Sequence, residues 1–410
     1  MIRTTYPVWT DINDVPAQYP WLDNDAACDV CVVGGGITGV MCAMFLAQSG
    51  ADTILIAENR IGAGAVASAM PCVQYDFGRT FHSSRRVPGS AEILMRLGAQ
   101  SLSDLERLVP TLDGDCGFAL RDLMIFTSDP SELALLGSEY TARREAGFDC
   151  TFVSRETVRD VFPFEIAGAI VSKRLAAELD PYRLTHLCAK EAAKCGARIY
   201  ENTRADNIDF YGGENYIDTS TRRVITAKKT VIATGTAAGD LLGGRTARKT
   251  CFLTASAPCE KLTGWHGRCV LRTWETPGIT VAASPGGRIF SGGLATSSVS
   301  EDGRLYGVLP LHRLCNKRFD ELEELPLSLF PDTDIDGFDY ACVSSYCETA
   351  DMLPIIGALP EAEGCVFALC SAPDAALMSL AAADIAARIC LGDTPPDAEI
   401  YSPERDALRR

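Results

Sequence analysis

Gly34-Gly35-Gly36-Ile37-Thr38-Gly39 brings together three glycines at G-x-G-x-x-G spacing, and Glu58 stands 19 residues beyond the last of them. That spacing suits a bound dinucleotide. Gly34 makes a tight turn, Gly36 admits a pyrophosphate to the main chain and to a helix N-terminus, and Gly39 lets helix and strand pack closely. Glu58 is placed to accept hydrogen bonds from the adenosine ribose. The flanking sequence supplies the elements such a site needs: apolar residues 29–33 read as a strand, 40–48 as a helix closed by Ser49-Gly50, and Thr53-Ile-Leu-Ile-Ala57 as a second strand carrying Glu58 at its end.

Other chemistries find less support. His82, His186, His266 and His312 have no His or Cys partner at metal-ligand spacing, and Cys28-Asp-Val-Cys31 lies along a strand with no second pair, so no metal is expected. No Gly-x-Ser-x-Gly elbow occurs. The 17 cysteines are scattered and read as small buried hydrophobes in a reducing compartment. A formal charge of −16 argues against nucleic-acid and anionic-membrane partners. The first ten residues lack a signal-peptide apolar stretch, and 375–391 carries Asp384 and Arg388, so a cytoplasmic protein is expected. The length, 410 residues, and a composition of 47% hydrophobic and 22% charged residues fit a folded enzyme of two to three domains.

NAD and FAD share the glycine fingerprint. Far downstream, Lys229-Thr-Val-Ile-Ala-Thr-Gly235 is a short apolar strand leaving through Ala-Thr-Gly. Pairing it with the N-terminal fingerprint implies a nucleotide domain assembled from separated segments, which favours FAD over an NAD-dependent dehydrogenase.

In this order of motifs the chain resembles the D-amino-acid oxidase family of FAD-dependent oxidoreductases, which includes glycine, sarcosine and other amine oxidases. The resemblance rests on Tyr19-Pro-Trp-Leu-Asp-Asn-Asp25, the fingerprint with Glu58, Glu58-Asn-Arg-Ile-Gly-Ala-Gly64, Leu179-Asp-Pro-Tyr-Arg183, Gly286-Gly-Arg-Ile-Phe-Ser-Gly-Gly293 and Thr349-Ala-Asp-Met-Leu-Pro-Ile-Ile-Gly357. It implies a mixed α/β (α+β) chain with a discontinuous, Rossmann-like FAD domain of the two-dinucleotide-binding type, at 24–110, 165–245 and 340–395. A β-rich substrate domain would occupy 111–164 and 246–339, with a C-terminal tail over 396–410 whose last residues, Ser402 to Arg410, read as solvated. The FAD domain would hold a parallel sheet between helices, two of them at 182–195 and 377–390.

The resemblance also extends the cofactor site. Besides Gly34, Gly35, Gly36, Ile37, Thr38, Gly39 and Glu58, it implicates Asn59, Ser68, Ala69, Met70, Gly235, Asp351 and Ala375. Ser344 stands where covalent members have a flavin-linked Cys, with Cys342 and Cys347 to either side, so FAD is expected to be noncovalent. The implied reaction removes a hydride from the C–N bond of a small amine or amino acid to flavin N5, with Tyr346, Gln74 and Tyr75 as candidate site residues.

The sequence departs from the family pattern at two loops. Met70-Pro71 replace glycine-type positions, and Pro71 has no amide donor. Cys370-Ser-Ala-Pro-Asp-Ala-Ala376 replaces a glycine-rich run, bringing Asp374 where negative charge would oppose a reduced flavin. Residues 279–284 contain no Arg for a substrate carboxylate, and Arg272 and Arg288 nearby read as structural. No Lys occurs between Lys261 and Lys317, which removes the lysine some relatives use to promote reaction with oxygen. The electron acceptor is therefore open between oxygen and a partner protein. A noncatalytic protein that keeps the fold is the alternative reading.

Overall fold

The structure is a computed structural model. It describes residues 6–84, 87, 89–239, 241–297, 313–370, 372 and 375–408. The apolar run after Asp25 extends into the strand Ala26–Val33, at the middle of an eight-stranded sheet. Its parallel neighbours are Thr53–Ile56 and Val224–Ile232, flanked in turn by Arg198–Tyr200 and Cys365–Leu369, also parallel. Ile355–Ala358 and a hairpin, Ala205–Tyr211 with Glu214–Thr219, add antiparallel strands. Strand and helix placements follow the apolar pattern to within a few residues: the three expected helices are Ile37–Gln48, Pro181–Lys194 and Ala375–Cys390.

The two faces of this sheet are covered differently. Val30, Val32, Leu55, Val231, Val366 and Ala368 pack under those three helices and under Ser90–Leu108. Residues of alternate parity, among them Cys31, Val33, Ile54, Ile56 and Phe367, meet Leu22, Ile217, Leu242, Leu359 and Leu408 instead. The expected sheet between helices is thus corrected: among the described residues, a hairpin and terminal segments cover the second face. The expected solvated tail is corrected too. Tyr401 and Leu408 are buried, and Arg405 forms a bidentate ion pair with the buried Asp351 at 2.6 and 2.9 Å.

A nine-stranded sheet forms the second half, in the order Phe338–Thr349, Thr246–Pro258, Arg288–Ser297, Ile279–Ala283, Val270–Thr273, Ala119–Thr127, Gly168–Glu178 and Cys72–Gln74, with Cys150–Ser154 also on Gly168–Glu178. Three of these strands, at 72–74, 168–178 and 338–349, come wholly or largely from stretches expected in the nucleotide half. Strand pattern does not announce which sheet a strand will join. All 17 cysteines are free thiols. Among the described residues, no helix is long and apolar enough to cross a membrane.

Candidate functional site

One cavity of about 770 Å³ runs from the fingerprint to the second sheet. At its first end the strand Ala26–Val33 turns through Gly34, whose φ of +133° suits glycine. Gly36 is the N-cap of the helix Ile37–Gln48, and no side chain caps it, so the helix offers its amide end to the cavity.

The four glycines divide by what an added Cβ would meet. At Gly34 it would lie 2.4 Å from the Ala233 carbonyl oxygen, at Gly35 2.5 Å from Ala57 Cβ, and at Gly39 1.9 Å from the Gly34 oxygen. Protein packing requires glycine at all three. At Gly36 it would meet nothing within 4 Å, and Gly36 faces the cavity. Open space in front of a bare, uncapped helix start fits the close approach of a phosphate.

Ile37, Thr38, Glu58, Asn59, Ala69, Met70 and Gly235 also line this cavity. Thr38 is held by a 2.7 Å hydrogen bond between its hydroxyl and that of Ser379. Glu58 is exposed and pairs with Arg204 at 3.6 Å, and both stand at a rim that also includes Arg60, Asp206 and Glu361. Gly39 is packed behind the turn, and Ser68 turns to Cys342. Asp351 is turned to Arg405, away from the cavity, because it ties the 349–353 turn to the C-terminal segment. Ala375 begins its helix. Pro373 and Asp374, part of the expected loop change, lie outside the described residues.

At the other end the wall is a two-strand ladder. Cys251 pairs with Ser344, and Lys249 with Tyr346, so all four side chains share one sheet face. Cys251, Ser344 and Tyr346 line the cavity. Tyr346 is 8% exposed, and burial pushes its hydroxyl up to about 12, so it stays a neutral phenol. Burial likewise raises the Cys251 thiol to about 12, and raises Cys347. Along the same face, Glu348 accepts an ion pair from Arg79 at 2.5 Å and from Lys249 at 3.3 Å, and the positive charge of Arg79 partly opposes the burial that raises the Tyr346 hydroxyl. Sequence reasoning missed Arg79, Lys249 and Glu348. The signal lay in Lys249 and Glu348 standing on apolar-patterned strands, but pairing register joins them, and register is not local.

Gln74 and Tyr75 do not reach the cavity. Gln74 Oε1 accepts a hydrogen bond from Arg272, and Tyr75 Oη one from Arg143 at 2.6 Å. Between them Asp76, fully buried, receives Arg143 at 2.9 Å and Arg272 at 2.6 and 2.7 Å, while Arg143 also binds Glu139. Glu139 in turn accepts the backbone amides of Phe81 and His82. This closed set of two acids and two guanidiniums fixes the segment that carries Arg79. Arg272 is therefore structural, as is Arg288, which pairs with Asp339 and lies over the Tyr340 ring. Met70 packs its sulfur against Gly292, and the Pro71 carbonyl accepts the Leu179 amide, so the altered loop is accommodated between the two sheets.

A family model, that of the DAO FAD-dependent oxidoreductases, matches residues 29–389. The chain belongs to this family. It is thus an FAD-dependent oxidoreductase, with FAD as its cofactor. Among solved structures it is similar to the glycine oxidase of Geobacillus kaustophilus, with a TM-score of 0.76 and 20% identity over 93% of this chain and 99% of that one. It is also similar to the L-proline dehydrogenase of P. horikoshii, with a TM-score of 0.74 and 18% identity over 94% and 98%. At these identities the likeness shows the fold alone. Among curated proteins, the gamma-glutamylputrescine oxidoreductase of Escherichia coli is 24% identical over 251 residues, covering 59% of this chain and 56% of that protein. The chain spans between 30% and 56% of the lengths of the curated relatives it matches. The family assignment favours an oxidoreductase over the noncatalytic alternative and over an NAD-dependent dehydrogenase.

Proposed function

We propose that this FAD-dependent oxidoreductase oxidises the C–N bond of a small amine or amino acid to an imine, which water hydrolyses, and that it works in the cytoplasm with noncovalently held FAD. One observation carries the reading: a single cavity joins the fingerprint glycines to the Cys251–Ser344–Tyr346 wall, so cofactor and substrate can share one space. Names of similar proteins, a glycine oxidase, an L-proline dehydrogenase and a gamma-glutamylputrescine oxidoreductase, support an amino group in the substrate. FAD, when bound, supplies a hydride acceptor at N5.

In this reading the residues at the first end hold the cofactor: amides of the 36–39 turn take the pyrophosphate, and Glu58 takes the ribose. At the other end the substrate needs orientation and a dry wall more than acid–base help, since the neutral amine carries its own electron pair. Tyr346 offers its phenolic hydrogen to the substrate. The strand division supports a nucleotide half built from 26–56, 198–232 and 355–369 and a substrate half built on the nine-stranded sheet.

The test is to purify the protein, record its visible spectrum, denature it to see whether the flavin is released, and mix the holoprotein anaerobically with a panel of amines and amino acids. Bleaching of the flavin by a member of the panel is expected. A flavin that dithionite reduces but no amine or amino acid does, while hydroxy acids or glycerol phosphates do, would sink the C–N reading.

A further inference from the structure

Residues 6–25, ahead of the fingerprint strand, take no part in the parallel sheet, yet they are fastened at several points. The short helix Val8–Ile12 is anchored to the second sheet, where Asp11 accepts the Tyr340 hydroxyl at 2.6 Å and the Tyr6 carbonyl accepts the Cys342 thiol at 3.3 Å. Asn13 bonds Asp180 at 2.9 Å and accepts from Arg183 at 2.7 Å, at the start of the helix Pro181–Lys194. Trp9 is 2% exposed and stacks on Phe290 with centroids 5.1 Å apart and planes 13° from parallel. Its indole N–H donates to the carbonyl of Ala69 at 2.8 Å.

That last bond matters because Ala69 and Met70 line the cavity and Trp9 does not. A trans peptide carries its C=O and the following N–H in opposite directions. With the Ala69 carbonyl turned to Trp9, the Met70 N–H is turned away from Trp9, in a loop whose residues Ala69 and Met70 both line the cavity. The neighbouring Pro71 has no N–H, so within the Met70-Pro71 pair only Met70 has an amide to offer.

We propose that Trp9 is a positioning residue of the cofactor site: by holding the Ala69–Met70 peptide plane it presents the Met70 amide as a hydrogen-bond donor to an acceptor atom of FAD. The N-terminal segment thereby becomes part of the machinery that retains the cofactor. This inference rests on the placement of FAD in the cavity lined by Gly36 and Met70.

Trp9→Phe keeps a ring on Phe290 and removes the indole donor. In the full-length protein, stripped of flavin and titrated with FAD, the variant is expected to bind FAD about two- to tenfold more weakly, the range one hydrogen bond spans. Its bound-flavin absorption band shifts, while the melting temperature of the apoprotein stays that of the parent. Tyr340→Phe, which loosens the same segment from its far anchor, should weaken FAD in the same direction by less, and it decides the matter if Trp9→Phe does not fold. Unchanged affinity and spectrum in the variant that decides, or weaker binding matched by an equal loss of apoprotein stability, would overturn the role of Trp9. Gly36→Leu separates the two claims. If it still binds FAD, the placement falls and the Trp9 inference falls with it. If it loses FAD while Trp9→Phe binds as the parent does, Trp9 alone is refuted.

Discussion

The two ends of the cavity are built by opposite means. At the fingerprint end the working surface is main chain: glycines bring backbone close, and charged side chains, among them Glu58 and Arg204, stand at an exposed rim. At the other end the working surface is side chain, Cys251, Ser344 and Tyr346 projecting from one face of a two-strand ladder. Elsewhere in the same half, and joined to this wall through the segment carrying Arg79, ionic groups are taken out of water and locked to one another. A backbone site is specified by shape and tolerates no added atoms. A side-chain site can exchange its residues while the frame stays, provided that the frame is stiff, and in this chain the stiffness comes from the buried Asp76–Arg143–Arg272–Glu139 set. The cofactor end is therefore the fixed half and the substrate end the adjustable one.

The sharpest way to break that contrast is to cut the frame. Burial alone would raise the Asp76 carboxyl, but the guanidiniums of Arg272 and Arg143 outweigh it and hold the group below its ordinary value. Asp76→Ala leaves both guanidiniums buried without this partner, which should cost about 3–5 kcal/mol of unfolding free energy in a denaturant titration. A loss under about 1 kcal/mol would mean that the cluster is not what stiffens the substrate end.

At the cofactor end the expected largest effect is on binding, and it separates ligand from packing. Gly36→Leu should fold as the parent does and weaken FAD by about a hundredfold or more, measured by flavin titration. Gly39→Ala should instead fail to fold, since its methyl would overlap the Gly34 oxygen. The reverse result, Gly36→Leu unfolded and Gly39→Ala tolerated, would refute the division of roles among the glycines.

A smaller effect is expected beneath the same end. His186 is buried with neither ring nitrogen bonded, packed on Tyr182 beside the turn at Gly62, and burial lowers its pKa from 6.5 to about 4. In the unfolded chain the ring takes a proton near 6.5, so its contribution to stability is complete above that pH and is lost as the pH falls toward 4. Acid titration of unfolding free energy should show this limb, and His186→Phe should flatten it. An identical acid limb in the variant would assign the loss to other groups.

The same contrast explains what could be read in advance. The fingerprint, Glu58 and the strands around them are contiguous in sequence, and their chemistry follows from local rules of turn, strand and helix. The strand at 224–232 and the helices at 181–194 and 375–390 carried enough apolar pattern to be placed. The substrate end was only partly legible. Tyr346 stood out as an aromatic near the Thr349–Gly357 segment, but Lys249 meets it only through antiparallel register, and Arg79 reaches this face only through a loop held by buried charge. Gln74 and Tyr75 were misplaced for a related reason: a polar residue after a cofactor loop has the same sequence signature whether it faces a ligand or, as these do, a buried arginine. Asp351 was drawn the same way to Arg405, far off in the terminal segment.

Tyr346→Phe is the smallest of these changes and the finest probe of the adjustable end. It removes one hydroxyl and leaves the ring as a wall, so the cofactor end should be untouched and FAD affinity unchanged. Loss of one hydrogen bond to a neutral substrate group corresponds to about a two- to tenfold fall in kcat/KM for flavin reduction. The two protonation states predict different pH profiles. A phenol held near 12 by burial cannot act as a base at neutral pH, so the rate should rise with pH as the substrate's own ammonium group loses its proton, in the parent and in the variant alike. A break in the parent's profile that disappears in Tyr346→Phe would show the phenol to be titrating in the working range, and would make it a proton carrier instead of a fixed donor.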